Sequence, residues 1–254
     1  MKARVPALVT GAAKRIGRAI ALDLAAHGFD VAIHCHSGRA EAEDVAHEAE
    51  KLGARAAVVE ADLADQQACA GLIDQTQKAL GAPLRLLVNN ASLFEDDSLA
   101  DFEWAVWERH FALHLKAPVE LARRMAAALP DGADGLVVNM IDQRVWRLRP
   151  QFFSYTLSKS ALWTATQTMA QALAPRVRVN AIGPGPALRN ERQTPEDFAR
   201  QVEGVPLERG PELGEFGRTV RYLWDARSIT GQMIALDGGQ HLAWQTPDVT
   251  GLVE

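Results

Sequence analysis

Two side chains suited to acid–base chemistry lie four residues apart in the segment Tyr155-Thr-Leu-Ser-Lys159. If the segment is helical, the two positions share one face of the helix. A lysine ammonium near a phenol favours the phenolate, so we expect Lys159 to lower the pKa of Tyr155 and make it a useful proton donor. Asp142, thirteen residues upstream, is a carboxylate suited to relaying that proton. The spacing also occurs by chance when a surface lysine lies beside a half-buried tyrosine, so the rest of the chain must decide.

Short apolar runs that predict strands alternate along the chain with longer periodic runs that predict helices. The strand runs lack polar alternation, as expected when both faces of a parallel sheet are covered. Strands are predicted over 5–9, 31–35, 56–59, 84–88, 136–141, 177–182 and 233–236, and helices over 16–28, 40–52, 65–81, 101–129, 153–173 and 211–224. This alternation predicts a single α/β domain over residues 1–254, with a doubly wound parallel sheet of about seven strands. Residues 186–210 predict a loop with one short helix, suited to a substrate lid.

The composition excludes several classes of protein. The net charge of −5 and pI of about 5.8 argue against an electrostatic nucleic-acid binder. The two cysteines, Cys35 and Cys69, lack metal-ligand spacing, and they fit a reducing compartment better than a disulfide scaffold. No apolar run has the length of a membrane span. We therefore expect a soluble cytoplasmic protein without a metal or a membrane partner.

The turn after the first predicted strand has the composition of a phosphate-binding loop. It is Thr10-Gly11-Ala-Ala-Lys14-Arg15-Ile16-Gly17. Glycines allow close approach of a ligand, and the N–H groups at the start of the next helix attract a pyrophosphate. The spacing departs from the common Gly-x-Gly-x-x-Gly pattern, since only two glycines are present. We predict a dinucleotide site rather than an ordinary helix cap.

The end of the second predicted strand favours NADP(H) over NAD(H). NAD-specific sites place a carboxylate there for the ribose 2′-hydroxyl. This chain has His36, Ser37 and Arg39 instead, with no carboxylate before Glu41. Arg15 and Arg39 are suited to the oxygens of a 2′-phosphate, and His36 and Ser37 can add hydrogen bonds.

Further motifs follow in a fixed order. Asp62-Leu63 closes the third strand, Asn89-Asn90-Ala91-Ser92 the fourth and Pro184-Gly185 the sixth, and Thr230-Gly231 precedes Asp237-Gly238-Gly239 near the end. Together with the turn and the Tyr-Lys pair, this set resembles the short-chain dehydrogenase/reductase superfamily over nearly the whole chain. The resemblance implies a Rossmann fold, a homotetramer and an NADP(H) site formed by Gly11, Arg15, Ile16, Gly17, His36, Ser37, Arg39, Asp62, Leu63, Asn90, Ala91, Ser92, Tyr155, Lys159, Pro184 and Gly185.

Three finer features resemble the pteridine reductases of that superfamily. The turn contains Arg15, Asp142 stands where the superfamily usually has a catalytic serine, and Phe94 follows Ser92 by two residues. The resemblance implies hydride transfer from NADPH to a C=N bond of a dihydropterin or dihydrofolate. Asp142, Tyr155 and Lys159 would be catalytic. The substrate would contact Arg15, Ser92, Phe94, Asp142 and Tyr155, with Phe94 holding the pterin against the nicotinamide.

One position departs from the superfamily pattern. His114 precedes Leu-Lys-Ala-Pro118 where an asparagine usually helps to hold a water of the proton relay. A histidine also forms hydrogen bonds, but its size and titration differ, so the relay is expected to differ.

Two groups of residues can each be interpreted in two ways. Arg144, Arg147 and Arg149 suit either an acidic substrate tail or a solvated basic loop. The tryptophans divide in the same way: Trp104, Trp107 and Trp163 are expected at subunit interfaces, whereas Trp146, Trp244 and the segment 188–192 are candidates for the border of the substrate pocket.

Two other functions compete with the pteridine reductase. A carbonyl reductase of 3-oxoacyl thioesters would use the same Tyr-Lys pair, although Asp142 in place of serine argues against it. A catalytically impaired NADP(H)-binding sensor or scaffold is supported by His114 alone and opposed by the intact Tyr155 and Lys159.

Overall fold

A seven-stranded parallel sheet forms the centre of the molecule. The computed structural model describes residues 4–246 and residue 250. The spatial order of the strands is β3-β2-β1-β4-β5-β6-β7, and all neighbouring pairs are parallel. The strands are β1 (Val5–Val9), β2 (Phe29–Cys35), β3 (Ala56–Glu60), β4 (Leu86–Asn89), β5 (Gly135–Met140), β6 (Val177–Pro184) and β7 (Met233–Leu236). The predicted α/β fold with seven strands is confirmed.

Helices cover both faces of the sheet, as predicted. They are α1 (Arg15–Ala26), α2 (Arg39–Lys51), α3 (Gln66–Leu80), α4 (Trp104–Phe111), α5 (Ala117–Ala128), α6 (Phe153–Leu173), α7 (Pro195–Glu203) and α8 (Leu213–Asp225). Helices α1, α2 and α8 pack in one apolar core, and α3, α5 and α6 in a second core on the other face. The short helix predicted within residues 186–210 is α7. No helix in the described part of the chain is long and apolar enough to cross a lipid bilayer.

The predicted helix over 101–129 is divided by one turn of π-helix, Ala112–Lys116. Pro118 lies two residues beyond this turn. Proline has no backbone N–H, and inside an α-helix its ring clashes with the carbonyl four residues earlier, which is that of His114. The wider π turn relieves this clash. It also places His114 in the interior, where the side chain is 1% exposed.

The strand order reverses between β1 and β4, which lie side by side at the middle of the sheet. In open parallel sheets a crevice forms at this point, beyond the carboxyl ends of the strands. The turn after β1, the loop after β4 and the segments after β5 and β6 all leave the sheet at this edge. The phosphate turn, Asn90-Ala91-Ser92, Asp142 and Gly185 lie in these four connections.

Candidate active site

The three residues predicted to be catalytic converge where β5 meets α6. Asp142 follows β5 and begins a 3-10 turn, in which its Oδ1 accepts the backbone N–H of Arg144 (2.8 Å). The Tyr155 hydroxyl, on the first turn of α6, donates to Asp142 Oδ2 (3.0 Å). Lys159 lies one turn further on, and its Nζ donates to the carbonyl of Met140 (2.8 Å). A phenol, a carboxylate and an ammonium group therefore occupy one buried corner of the crevice.

The pKa shift of Tyr155 is opposite to the expected one. Burial, followed by the charge of Asp142, raises the pKa of Tyr155 well above its usual value. Both causes disfavour a phenolate, because burial penalises charge and a carboxylate repels a second anion. Burial lowers the pKa of Lys159 to about 8, and Asp142 opposes that change. Tyr155 is thus a neutral phenol, ready to give up a proton rather than already ionised.

The turn between β1 and α1 packs tightly against the loop after β4 and leaves the start of α1 uncapped. Gly11 has φ +61, and a Cβ there would lie 2.9 Å from the Cα of Ala91. A Cβ on Gly17 would clash with the Gly11 carbonyl and lie 2.5 Å from the side-chain nitrogen of Asn90. Helix α1 has no side-chain cap and no acidic residue in its first turn, which leaves its N-terminal N–H groups to an anion.

Buried polar side chains hold this turn in place. Asn90 Nδ2 donates to the carbonyls of Thr10 (2.8 Å) and Gly11 (3.1 Å). The Thr10 hydroxyl accepts the backbone N–H of Ala91 (3.0 Å). On the other side, His34 Nδ1 accepts the N–H of Gly11 (3.0 Å) while its Nε2 donates to the Ala61 carbonyl (3.0 Å). Burial lowers the pKa of His34 to about 4, so this imidazole is neutral.

The residues predicted to select the 2′-phosphate are exposed beside the same turn. Arg39 Nε donates to Glu43 (2.8 Å), and its Nη1 donates to Glu60 (3.4 Å). His36 Nε2 lies 3.9 Å from Asp62 Oδ2. Ser37 is exposed between them. Arg39 therefore lies beside the turn as expected. Its guanidinium is paired with Glu43 and Glu60, two carboxylates that the sequence pattern did not indicate.

Arg15 contacts the loop over 186–210, which is called the substrate loop because the sequence predicts that role for it. Its guanidinium donates to the carbonyls of Arg189 (3.0 Å) and Leu188 (3.3 Å). On the other side of the site, Arg192 donates through both Nη atoms to the carbonyl of Phe94 (3.0 Å each). The first part of the loop over 186–210 is thereby fixed between the phosphate turn and the loop that follows β4.

The remaining predicted cofactor residues hold the edges of the crevice. Asp62 Oδ1 accepts the N–H of Ala64 (2.9 Å), and Leu63 is buried in the apolar core. Ile16 packs against the other core. Strand β6 continues to Pro184, and the N–H of Gly185 donates to the Leu236 carbonyl (2.9 Å). Each of these residues has a structural contact of its own.

Phe94 has an aromatic neighbour that the sequence did not indicate. Its ring stacks on Phe152, with centroids 4.3 Å apart and planes at 13°. The edge of Tyr155 completes the cluster at 4.7 Å and 76°. Phe152 precedes α6 and has φ 56, a conformation that bulky residues rarely adopt. The ring of Phe94 that was expected to stack on the substrate therefore stacks on a protein ring in this structure. Backbone strain of the kind seen at Phe152 typically occurs at functional sites.

His114 braces the loop after β4 against α6. Its Nε2 accepts from the N–H of Leu93 (3.1 Å) and from the Ser92 hydroxyl (3.0 Å), so Nδ1 carries the hydrogen and donates to Ser158 Oγ (2.8 Å). Burial, followed by the charge of Lys159, lowers the pKa of His114 well below its usual value. Both ring nitrogens are thus occupied by protein groups.

His110, one turn earlier, repeats this arrangement. Its Nε2 accepts the N–H of Glu95 (3.4 Å), and its Nδ1 donates to Ser154 Oγ (2.7 Å). The Ser154 hydroxyl in turn donates to Asp97. The rings of His110 and His114 stack with centroids 5.4 Å apart. We call these two imidazoles the histidine pair; the matching Ser-x-x-x-Ser spacing on α6 was the available sequence signal.

The tryptophans and basic residues differ in their exposure and contacts. Trp104 is 68% exposed, and Trp107 stacks on Phe111. Trp146 packs between Trp163 and His241, with centroids 6.2 and 5.1 Å away. Arg147 donates to the Gln240 carbonyl (3.4 Å), and burial lowers the pKa of Arg149. Trp244 is 68% exposed. Interface burial of Trp104, Trp107 and Trp163 remains a prediction.

Comparison with known proteins agrees with this geometry. Residues 11–241 match the family described as Enoyl-(Acyl carrier protein) reductase. The chain is 63% identical to FolM alternative dihydrofolate reductase 1 of Brucella suis, solved in complex with NADP, with a TM-score of 0.95 and coverage of 98% of this chain and 100% of that one. It is 31% identical to a short-chain type dehydrogenase/reductase of Picea abies, covering 92% of this chain and 91% of the relative.

A more distant relative represents ketone chemistry. The chain is 29% identical to the 3-oxoacyl-(acyl-carrier-protein) reductase FabG of Staphylococcus epidermidis, covering 93% of this chain and 98% of the relative. The family match spans most of the chain, and its residues include the phosphate turn, the Tyr-Lys pair and the segment after β6. The chain therefore belongs to the short-chain dehydrogenase/reductase family of oxidoreductases.

Proposed function

We propose that this protein is an NADPH-dependent pteridine reductase, which adds hydrogen across a C=N bond of a dihydropterin or dihydrofolate. The observation that carries the proposal is the hydrogen bond from Tyr155 to Asp142 (3.0 Å). A serine at position 142 would suit polarisation of a carbonyl. A carboxylate that changes its protonation state suits delivery of a proton to a ring nitrogen. The 63% identity to a FolM dihydrofolate reductase supports the same substrate class.

The phosphate turn suits NADPH. Gly11 and Gly17 let the turn pack directly against the β4 loop, where a Cβ would clash. The uncapped start of α1 offers N–H donors to a pyrophosphate, and Arg39 offers a guanidinium to a 2′-phosphate. The related Brucella suis protein was solved with NADP. When bound, NADPH supplies the hydride.

Tyr155, Asp142 and Lys159 hold and deliver the proton. Because its pKa is raised, Tyr155 holds its hydrogen at neutral pH and donates it only to a strong acceptor, such as the nitrogen of a C=N bond receiving hydride. Asp142 accepts the hydrogen bond from Tyr155 and orients its hydroxyl. Lys159 is fixed by the Met140 carbonyl and keeps a positive charge in the same corner, where it offsets the charge left on Tyr155.

Steady-state NADPH oxidation tests the proposal. Dihydrobiopterin, dihydromonapterin, dihydrofolate and acetoacetyl thioesters are compared with the same preparation, together with Tyr155→Phe. We expect turnover of at least one pteridine and a decrease in kcat of about 100-fold to 10,000-fold for Tyr155→Phe, the range typical of a lost general acid. Binding of NADPH to this variant, followed by coenzyme fluorescence, serves as the control for folding.

The panel separates the three candidate functions. Turnover of the thioester alone would replace the proposal with the ketone reductase that the FabG relative represents. NADPH binding without turnover of any substrate would support a sensor or scaffold. An unchanged kcat for Tyr155→Phe would remove this residue as the proton donor.

A further inference from the structure

Arg144 is a half-buried arginine with two buried guanidinium nitrogens that have no hydrogen-bond partner in the described part of the protein. Its Nε and Nη1 atoms are both buried, and neither has an acceptor among the described residues. Asp142, two residues earlier, accepts the backbone N–H of Arg144 rather than its side chain. Buried polar groups are nearly always hydrogen-bonded in folded proteins, so two unpaired donors on one cation require an explanation.

The guanidinium faces the aromatic cluster of the site. Its central carbon lies 4.9 Å from the ring centroid of Phe152, 5.4 Å from that of Phe94 and 5.8 Å from that of Tyr155. Aromatic faces attract a cation, but they do not accept N–H hydrogen bonds as oxygen or nitrogen atoms do. The charge is therefore partly stabilised where it stands, while its donors remain available to a molecule bound among these rings.

Arg192 provides an internal comparison. It approaches the same rings, at 5.0 Å from Phe94 and 5.4 Å from Phe152. Its donors, however, are used by the Phe94 carbonyl. Two arginines thus lie against one aromatic pair, and within the described part of the chain only the guanidinium of Arg192 has a protein acceptor. Arg192 anchors the substrate loop, whereas the contacts of Arg144 give no comparable structural reason for a buried charge.

We propose that Arg144 is a substrate-binding residue that donates a hydrogen bond to an oxo group, or an equivalent acceptor atom, on the flat heteroaromatic ring of the substrate. This inference rests on the proposed pteridine reductase and assigns a contact within that site. A pteridine of the folate type carries an oxo acceptor on its pyrimidine ring. Arg144 and Asp142 then act together: the cation fixes the acceptor edge of the ring, and the carboxylate and Tyr155 face the nitrogen that receives the proton.

The test is substitution of Arg144 by Met, which keeps the volume and apolar contacts but removes the charge and the donors. We expect KM for dihydrobiopterin to rise about 10-fold to 100-fold, the range for a lost hydrogen bond to a charged group. The dissociation constant for NADPH should stay within about twofold, since the guanidinium contacts the substrate side of the site. Arg144→Lys should recover part of the loss, because the charge returns without the planar donors.

A second ligand separates hydrogen bonding from general damage. In 2,4-diaminopteridine an amino group, which donates, replaces the oxo acceptor. Its inhibition constant should change less than about threefold in Arg144→Met, because no hydrogen bond is lost with this ligand. Arg123→Met is the matched control: Arg123 is an exposed cation of α5 paired with Glu120, and the change removes the same charge away from the site. It should alter neither constant.

Thermal stability distinguishes a binding role from a structural one. Removal of a half-buried charge whose two buried donors are unpaired should leave the melting temperature unchanged or raise it. A lower melting temperature together with equal losses for both pteridines would show that Arg144 is structural and overturn the inference. An unchanged KM in Arg144→Met would also overturn it while leaving the proposed function intact. Failure of the wild-type protein to bind any pteridine would overturn both.

Discussion

Asp142 and Tyr155 form a hydrogen-bonded pair in which the carboxylate disfavours a negative charge on the phenol. The phenol is almost fully buried, at 6% exposure, and its hydroxyl donates a hydrogen bond to the carboxylate. A carboxylate in this position holds the hydrogen on the tyrosine more firmly than a serine hydroxyl would, since a second negative charge nearby is unfavourable. The pair therefore keeps its proton until a substrate nitrogen becomes basic enough to take it.

Substitution of Asp142 by Asn should lower the pKa of Tyr155. The charge of Asp142 and its hydrogen bond both raise that pKa, so their removal leaves burial as the main cause. The chain has two tyrosines, and a Tyr222→Phe background leaves Tyr155 as the sole source of phenolate absorbance. A spectroscopic titration should show an earlier midpoint for Asp142→Asn than for the background, with circular dichroism confirming the fold at each pH. Coincident midpoints would show that the carboxylate does not control this phenol.

The identity of these residues could be predicted from the sequence, but the direction of the pKa shift could not. Spacing placed Tyr155 and Lys159 on one helical face and Asp142 at the end of a strand. A pKa depends on burial and on which atoms face each other. Lys159 donates to the Met140 carbonyl, and Asp142 takes the hydroxyl. Phe152 and its left-handed backbone were missed for the same reason, because no local pattern indicates that a phenylalanine will stack on Phe94.

At the scale of elements, the histidine pair joins three parts of the fold. His110 lies at the end of α4 and His114 in the π turn; their Nε2 atoms hold backbone N–H groups of the loop after β4, and their Nδ1 atoms hold serines of α6. The loop carries Phe94 and α6 carries Tyr155. The π turn produced by Pro118 thus sets the distance between the aromatic surface and the proton donor.

Substitution of His114 by Asn should make the stability of the fold less dependent on pH. The folded pKa of His114 is lowered, so its stabilising contribution is present above about pH 6.5, the usual value, and is lost as the pH falls through the folded pKa. Protonation would place an N–H on Nε2, opposite the donors of Leu93 and Ser92. At pH 7 we expect the variant to lose about 1–3 kcal/mol, the cost of an unsatisfied buried donor.

Urea unfolding at a series of pH values between 7 and 4.5 measures this effect. The difference in unfolding free energy between wild type and His114→Asn should shrink as the pH decreases. His47→Asn, a change at an exposed histidine of α2, controls for the loss of a titrating group and should leave the pH dependence unchanged. A constant difference across the range would show that His114 does not titrate with unfolding.

At the scale of the whole molecule, the order of the strands determines where the candidate active site lies. Seven parallel strands bring four separate connections to one edge of the sheet, next to the reversal between β1 and β4. Apolar runs and glycine positions predicted this architecture because both faces of the sheet are buried. Contacts between distant segments could not be predicted in the same way. Arg15 reaches the carbonyls of Leu188 and Arg189, more than 170 residues away, and this contact joins the coenzyme turn to the substrate loop.

The substitutions of Arg39 and Arg15 should therefore have different effects on the binding of NADPH and NADH. Arg39→Ala should weaken NADPH binding about tenfold or more and leave NADH nearly unaffected, because only NADPH carries the 2′-phosphate that a guanidinium binds. Arg15→Ala should weaken both coenzymes, with the larger effect on NADPH, because it also releases the substrate loop. Glu43→Gln is the reciprocal variant: it keeps Arg39 but removes a carboxylate that occupies it at 2.8 Å.

Coenzyme fluorescence titrations give these dissociation constants directly. With Glu43→Gln, NADPH binding should become tighter, since the 2′-phosphate no longer competes with that carboxylate for the guanidinium or meets its repulsion. NADH binding should remain within about twofold, because NADH offers no charge at that position. Equal losses of both coenzymes in Arg39→Ala would contradict the assignment of Arg39 to the 2′-phosphate. The selection would then have to come from another part of the turn.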